Sequence, residues 1–530
     1  MMTSSEISNR WPVAILATAL ITGIAFRLYP VLVGMPQLAE FLITEDGYLL
    51  LTVARNMALG LGMTVSEGTI PTNGVQPLIT YLFSGAYLAV GGDRVSGLIG
   101  VHLIMIAISV AGFFAIRAFA ARLLESWPRA ELWAVLAAAL WFLGSVPARH
   151  SMNALETGLV TLMLVLTLSQ FYKVISRGLE ASLGDQLWLG ALAGLAFLAR
   201  IDVALFCIVL WGVWLLDMLL RQRAGFARSF LWLLPPGLIC LVIAAPWLLN
   251  NVLRFGALMP SSGTAQSLND TFGENAILLP SRLFEYVFPM LPIPNALETT
   301  PWAVAIFALA VALVLLVFVL QVIRTGSPAL RAVVIVYVLH GAVLSFYYGF
   351  NFGAAHFLTR YLAPLAPLLI IAALWTALEF GRWLTPRRTG LWAGFYGFGG
   401  VALSAALLVR LAMPGVSTQG HFQVVRWVAE NVSAETWVGA VQTGTLGYWH
   451  DRTINLDGKV NPAALAMRVE QGSVLPYVVD SEIDFVVDWA SVGNWAARPT
   501  GGFSESFELI VEDFDSNLSV MRRRGIEAGG

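Results

Sequence analysis

Residues 44–62 read TEDGYLLLTVARNMALGLG. Two adjacent carboxylates, Glu45 and Asp46, open this segment just after an apolar run at 13–33 long enough to cross a bilayer. Thr44 suits a helix N-cap, and acidic residues in a first turn meet the positive end of the helix dipole. The stretch reads as a helix lying at the membrane interface, with Leu50, Val53 and Met57 on the side that rests on the membrane domain. Ionisable groups this close to a bilayer are costly and mark a functional site by default.

The rest of the chain supplies the membrane. Of 530 residues, 58% are hydrophobic and only 12% are charged, about half the roughly 25% charge of a soluble protein. The 31 basic and 33 acidic residues nearly cancel, so no net field recruits nucleic acid. Cys207 and Cys240 both fall in apolar runs and read as small hydrophobes. No small-x-small cleavage site follows the first run, which is expected to be a retained span rather than a signal peptide.

Long apolar runs lie near 13–33, 76–91, 95–118, 131–147, 157–175, 187–199, 203–220, 229–249, 302–323, 330–348, 361–380 and 391–412. Basic clusters choose the orientation: Arg117, Arg122 and Arg129; Lys173 and Arg177; Arg221, Arg223 and Arg228; Arg324 and Arg331; Arg382, Arg387 and Arg388. If all face the cytoplasm with the N-terminus, every run alternates correctly except 76–91. That run begins with proline, ends in two glycines and is short for a span. It is expected to be re-entrant or interfacial. The prediction is a polytopic α-helical membrane protein with about 11 transmembrane helices (11–13). Outside loops are expected at 34–95 and 256–301, within a membrane domain 1–414. The alternative lets 76–91 span and leaves another short run, such as 187–199, out.

After Pro414 the chain changes character. VVRWVAENV is amphipathic, and TWVGAVQ, RTINLDG, DFVVDW, FELIVED and LSVMRRR are strand-like with turns between. Residues 415–530 are therefore read as a small α/β extracytoplasmic domain. Without a nucleophile triad or metal-ligand spacing it is expected to be a structural cap over the outer face.

With this topology the outer side collects Glu45, Asp46, Arg55, Arg149, His150, Asn153, Glu156, Arg200, Asp202, Asn250, Asn251, Arg254, His356 and Arg360. Taken singly, each carboxylate could cap a helix and each arginine could snorkel at an interface. Neither accounts for their gathering on one face from segments distant in sequence. The convergence points to a cavity at the outer leaflet that holds both carboxylates and cations.

Several motifs carry a resemblance. EDGYLLLTVARNMALGLG followed by TIPTNGVQPL resembles the first outside loop of GT-C glycosyltransferases, multi-span enzymes that take sugars from polyprenyl-phosphate carriers. The branch is like the arabinofuranosyltransferases of actinobacterial walls and the glycosyltransferase family 39 type. More distantly it resembles the aminoarabinose transferases of lipid A. NALETGLVTLML, LAGLAFLARID, LNNVLRFGALMPSSG, RYLAPLAPLL and GTLGYWHDRTINLDGKVNP follow in the expected order. Two departures stand out. The usual first Asp is Glu45, and Val75-Gln76-Pro77-Leu78 replaces the Lys-Pro-Pro-Leu of the aminoarabinose-transferase type. The phosphate is thereby left to other cations.

The resemblance implies a transferase in a bacterial inner membrane. An acceptor hydroxyl attacks the anomeric carbon and a polyprenyl phosphate leaves. Asp46 is the implied base, since it precedes Arg55 by the nine residues the family places between base and Ala-Arg element. Glu45 assists, orients, or joins Asp46 in holding a divalent cation (Mg or Mn), although two adjacent carboxylates are a weak metal signal. Arg200, Arg360, His356, Arg149 and Arg55 are the candidates for the donor phosphate. Tyr48, Asn73, Gln76, Glu156 and Asp202 are the candidates for the substrate cavity. The implied partners are a lipid-linked sugar donor and a cell-envelope polysaccharide, glycolipid or protein acceptor. The rival reading is a transporter or flippase of lipid-linked sugars, which needs the cations but no base.

Overall fold

The computed structural model describes residues 4–268, 270–353, 355–413 and 421–526. The expected domain boundary at Pro414 lies outside the described residues. Among those described, nine helices are long and apolar enough to cross a membrane by length and composition. They run from Trp11–Val33 to Gly390–Leu411. Two further runs expected to span form shorter helices, Ala130–Leu143 of 14 residues and Leu183–Ala199 of 17. At 1.5 Å per residue, 14 residues cover about 21 Å of a hydrocarbon layer of about 30 Å. Ala130–Leu143 can be short because it is enclosed: every residue from Leu132 to Leu143 is buried. The expected count of about eleven is reached only by adding these two helices. The run at 76–91 forms the 13-residue helix Pro77–Ala89, likewise shorter than a full span.

Helix ends separate two kinds of chemistry. Pro328–Phe350 carries Arg331 in its first turn and Tyr348 in its last. In the next span, Ala355–Leu384, Arg360 lies near the start and Arg382 near the end. The basic clusters thus lie at one end of the bundle, and the conspicuous polar residues gather at the other.

The segment that opened the reading forms the helix Glu45–Ala58. Thr44 caps it: its Oγ1 accepts from Gly47 N at 3.2 Å and donates to Asn153 O at 3.2 Å. The second bond pins the helix start to the loop before Thr157–Arg177. Leu50 and Val53 are buried, but so are Leu49, Leu51, Thr52 and Ala54, so this helix is enclosed on all sides rather than lying amphipathic at the interface.

The C-terminal domain is a five-stranded mixed sheet between helices. Its strands are β1 (Val438–Ala440), β2 (Thr453–Asn455), β3 (Phe485–Asp488), β4 (Phe507–Asp513) and β5 (Leu518–Arg523). Their order is β2-β1-β3-β5-β4, with β1 parallel to β2 and β3, and β5 antiparallel to β3 and β4. Alternation along β3 sends Phe485 and Val487 to the face covered by the helix Phe422–Asn431, and Val486 to the opposite face. The domain docks on the loop 34–95. Asp451 pairs with Arg55 at 3.0 Å and Arg94 at 2.8 Å. The Tyr448 and Tyr87 hydroxyls lie 2.9 Å apart, and Ser66 Oγ donates to Thr453 O at 2.6 Å.

Candidate active site

Two cavities meet beneath the docked domain. The first, about 400 Å³, has a wall of Leu49, Leu50, Leu205, Leu258 and Met259, and the polar groups Gln76, Glu156, Arg200, Asp202, Tyr348 and Tyr361. The second, about 680 Å³, is lined by Glu45, Arg149, His150, Asn153, Arg282, Glu285, Glu298 and His356, with Gln442 and Trp489 from the C-terminal domain. Asp46, Arg360 and Lys459 line both.

Asp46 sits between two cations. Arg360 Nη1 donates to its Oδ2 at 3.0 Å, and Lys459 Nζ to its Oδ1 at 3.1 Å. Burial alone would raise its pKa, but Lys459 and Arg360 outweigh burial and hold the carboxyl down at about 2. Asp46 is therefore a carboxylate at any physiological pH. Lys459 is buried too, which favours loss of its proton; Asp46 and Asp457 outweigh this and raise it above the ordinary lysine range.

Glu45 differs sharply from its neighbour. Gly444 N and Thr445 Oγ1 donate to its two oxygens, and Thr445 N adds a bond of 3.0 Å. Burial dominates here and raises the Glu45 carboxyl to about 7, with these donors opposing it. Gly444 rests directly against the Glu45 carbonyl, leaving no room for a Cβ. Glu45 therefore fastens the C-terminal domain to the start of the Asp46 helix.

Arg200 is held rigidly. Its Nε donates to Asp202 Oδ1 at 2.7 Å and its Nη2 to Tyr361 O at 3.0 Å. Tyr348 donates to the other Asp202 oxygen at 2.8 Å and stacks on Tyr361, with ring centres 4.1 Å apart. Arg200 Nη1 and Arg360 Nε are buried without a hydrogen-bond partner among the described residues. An orphaned buried donor costs about 1–3 kcal/mol, and both residues line the first cavity.

The carboxylate pair does not fit a divalent cation. The Glu45 oxygens accept from N–H and O–H groups, and the Asp46 oxygens from an ammonium and a guanidinium. Among the described residues no group of three or more His, Cys, Asp or Glu could hold a metal ion.

The structure brings Asp46, Arg360, Gln76, Glu156, Arg200 and Asp202 to the first cavity. It brings Glu45, Arg149 and His356 to the second. Three of the candidates lie elsewhere. Arg55 is engaged by Asp451 and donates to Gly92 O at 2.9 Å, outside both cavities. Tyr48 is fully buried and donates to Ala39 O at 2.7 Å. Asn73 is buried, and its Oδ1 accepts from Ser261 N at 3.1 Å, so it positions a loop. Gln76 lines the cavity while its Oε1 accepts from Ile201 N at 3.3 Å, beside Arg200.

The sequence reading missed Lys459, Tyr348 and the cluster of Arg282, Glu285 and Glu298. Arg282 makes two bonds of 2.6 Å to Glu298. The signal for Lys459 was available, since it ends GTLGYWHDRTINLDGK, whose first two residues are the Glu45 clamp. A domain expected only to cap the outer face in fact contributes side chains to both cavities.

The family model of a domain of unknown function (DUF8728) matches residues 412–523, which cover the C-terminal domain. No curated protein matches the chain in sequence. In structure the chain is similar to ArnT from Cupriavidus metallidurans bound to undecaprenyl phosphate. The TM-score is 0.58 at 15% identity, over 98% of this chain and 99% of that one. It is also similar to the archaeal oligosaccharyltransferase AglB from Archaeoglobus fulgidus, in complex with an inhibitory peptide and a dolichol-phosphate. There the TM-score is 0.57 at 12% identity, over 94% of this chain and 72% of that one. Both are GT-C superfamily glycosyltransferases. At these identities the likeness is one of fold, and the fold is the GT-C architecture.

Proposed function

We propose that this chain is a membrane glycosyltransferase acting at the outer face of a bacterial inner membrane. It moves a sugar from a polyprenyl-phosphate carrier to an acceptor hydroxyl by single displacement, with Asp46 as base. The observation that carries this reading is that Asp46 and Arg360 line two cavities of different character. The basic clusters at the opposite end of the bundle support the outward orientation.

The first cavity suits the donor. Its apolar wall matches a prenyl chain, and Arg200 and Arg360 in its lining are cations for phosphate oxygens. Arginine can address a phosphate through two parallel hydrogen bonds. The more polar second cavity suits the acceptor, which is a cell-envelope polysaccharide, glycolipid or protein. Its hydroxyl would approach Asp46 from the side of Arg149 and Trp489. The hydroxyl oxygen bonds to the anomeric carbon, and the carbon–oxygen bond to phosphate breaks. The bonding electrons leave on the phosphate, and the hydroxyl proton goes to Asp46. A base of this kind contributes roughly 10²–10⁴-fold.

The test is incubation of purified protein with a panel of radiolabelled polyprenyl-phosphate sugars. Turnover of one or more donors, with label moved to an acceptor or to water, supports the reading. Binding of donors with no turnover of any would refute it in favour of a flippase or receptor.

A further inference from the structure

One buried cation at the site has no part in the reaction as stated. Lys459 belongs to the C-terminal domain, yet it lines both cavities and its side chain is only 13% exposed. Its backbone is fixed from several sides. Ser261 Oγ donates to its carbonyl at 2.7 Å, and Asp457 Oδ1 accepts from its N–H at 2.8 Å. Gly74 packs on the same carbonyl with no space for a Cβ. Gly458, at φ 83°, makes the turn that presents it. Only the flexible four-carbon stem is left to move. The ammonium is divided between Asp46 at 3.1 Å and Asp457 at 3.5 Å, with the Phe357 ring centre 5.3 Å away.

We propose that Lys459 is a ligand of the donor phosphate and exchanges Asp46 for it, so that the cation paired with the base before the donor binds stabilises the leaving group. This rests on the transferase reading above. The charge balance supports it. A phosphodiester donor carries one negative charge and its leaving monoester two. Asp46 carries one negative charge and none once it takes the acceptor proton. The step therefore moves one negative charge from Asp46 to the phosphate, with Lys459 beside both. As Asp46 is neutralised, the ammonium loses its partner just when the phosphate gains charge, so the attraction strengthens toward the transition state. The same exchange makes Asp46 a better base, because a carboxylate relieved of a cation holds a proton more tightly. The matched domain of unknown function thereby acquires a catalytic role.

The experiment measures binding of undecaprenyl phosphate to detergent-solubilised full-length protein and to four variants. K459Q should bind at least tenfold more weakly than wild type, and K459R within about threefold of it. D46N should bind at least as tightly as wild type, because its lysine is free for phosphate. The double variant D46N/K459Q leaves neither charge of the pair behind, so it keeps the comparison usable if K459Q folds poorly. It should bind at least tenfold more weakly than D46N. If Lys459 only braces Asp46, D46N and K459Q will weaken binding alike, or the double variant will match D46N; either result overturns the proposal. Failure of wild type itself to bind undecaprenyl phosphate would instead overturn the transferase reading.

Discussion

Lys459 Nζ lies 3.1 Å from Asp46 Oδ1, across 413 residues of chain and two structural domains. The site is thus complete only when the C-terminal domain is docked, and the adjacent Glu45 is one of the contacts that dock it. Activity and docking should fail together when the clamp is broken. Glu45→Ala strips an acceptor from two backbone N–H groups and a hydroxyl. At about 1–3 kcal/mol per orphaned donor, it should lower the Tm by several degrees and abolish turnover. Thermal unfolding with a parallel transfer assay checks this; an unchanged Tm would show that the clamp is dispensable.

Glu45 also sets a pH dependence. Its folded pKa is raised to about 7 from an ordinary 4.5, so the folded state keeps a proton that the unfolded chain has released. That stability is fully present below pH 4.5 and is lost as pH rises through about 7. Between pH 5 and 8 the Tm of wild type should fall relative to that of Glu45→Gln. Parallel curves for the two proteins would contradict the assignment. Asp46 has the opposite sign: depressed to about 2, its contribution is lost only in strong acid.

Arg200 and Arg55 should separate cleanly. Arg200→Ala removes a cation that lines the first cavity and should cost about 1.5–3 kcal/mol in kcat/KM, tenfold to a hundredfold, mostly through donor KM. Arg55→Ala breaks the pair with Asp451 outside the cavities. It should lower the Tm and leave donor KM unchanged. Steady-state kinetics with varied donor distinguishes them, and equal KM effects would return Arg55 to the phosphate site.

Because the oxygens of Glu45 and Asp46 are already engaged by N–H, O–H and cationic donors, chelator should not reduce turnover. Transfer measured with and without EDTA decides it. A loss restored by Mg or Mn would mean that the carboxylates rearrange to hold a cation.

Much of the fold was legible because it is written locally. Spans are apolar runs of fixed length, and the cap at Thr44, the carboxylates and the buried Leu50 and Val53 all fall within a few turns. The apolar run at 131–147 forms a helix of only 14 residues, Ala130–Leu143, because its neighbours enclose it. Site membership was legible wherever a residue lies at a helix end, as for Asp46, Arg200 and Arg360. It failed where the partner is far away in sequence. Nothing local shows that Arg55 is engaged, because Asp451 is 396 residues distant, and nothing local singles out Lys459, whose partner Asp46 is 413 residues away.

The central claim is that Asp46 is the base at which donor and acceptor meet. The most direct test is a single-turnover comparison of wild type with Asp46→Asn, using whichever labelled polyprenyl-phosphate sugar the wild type consumes. The substitution preserves size and hydrogen bonding but removes the proton acceptor. Transfer should slow roughly 10²–10⁴-fold with donor binding retained. A variant that transfers at the wild-type rate would contradict it.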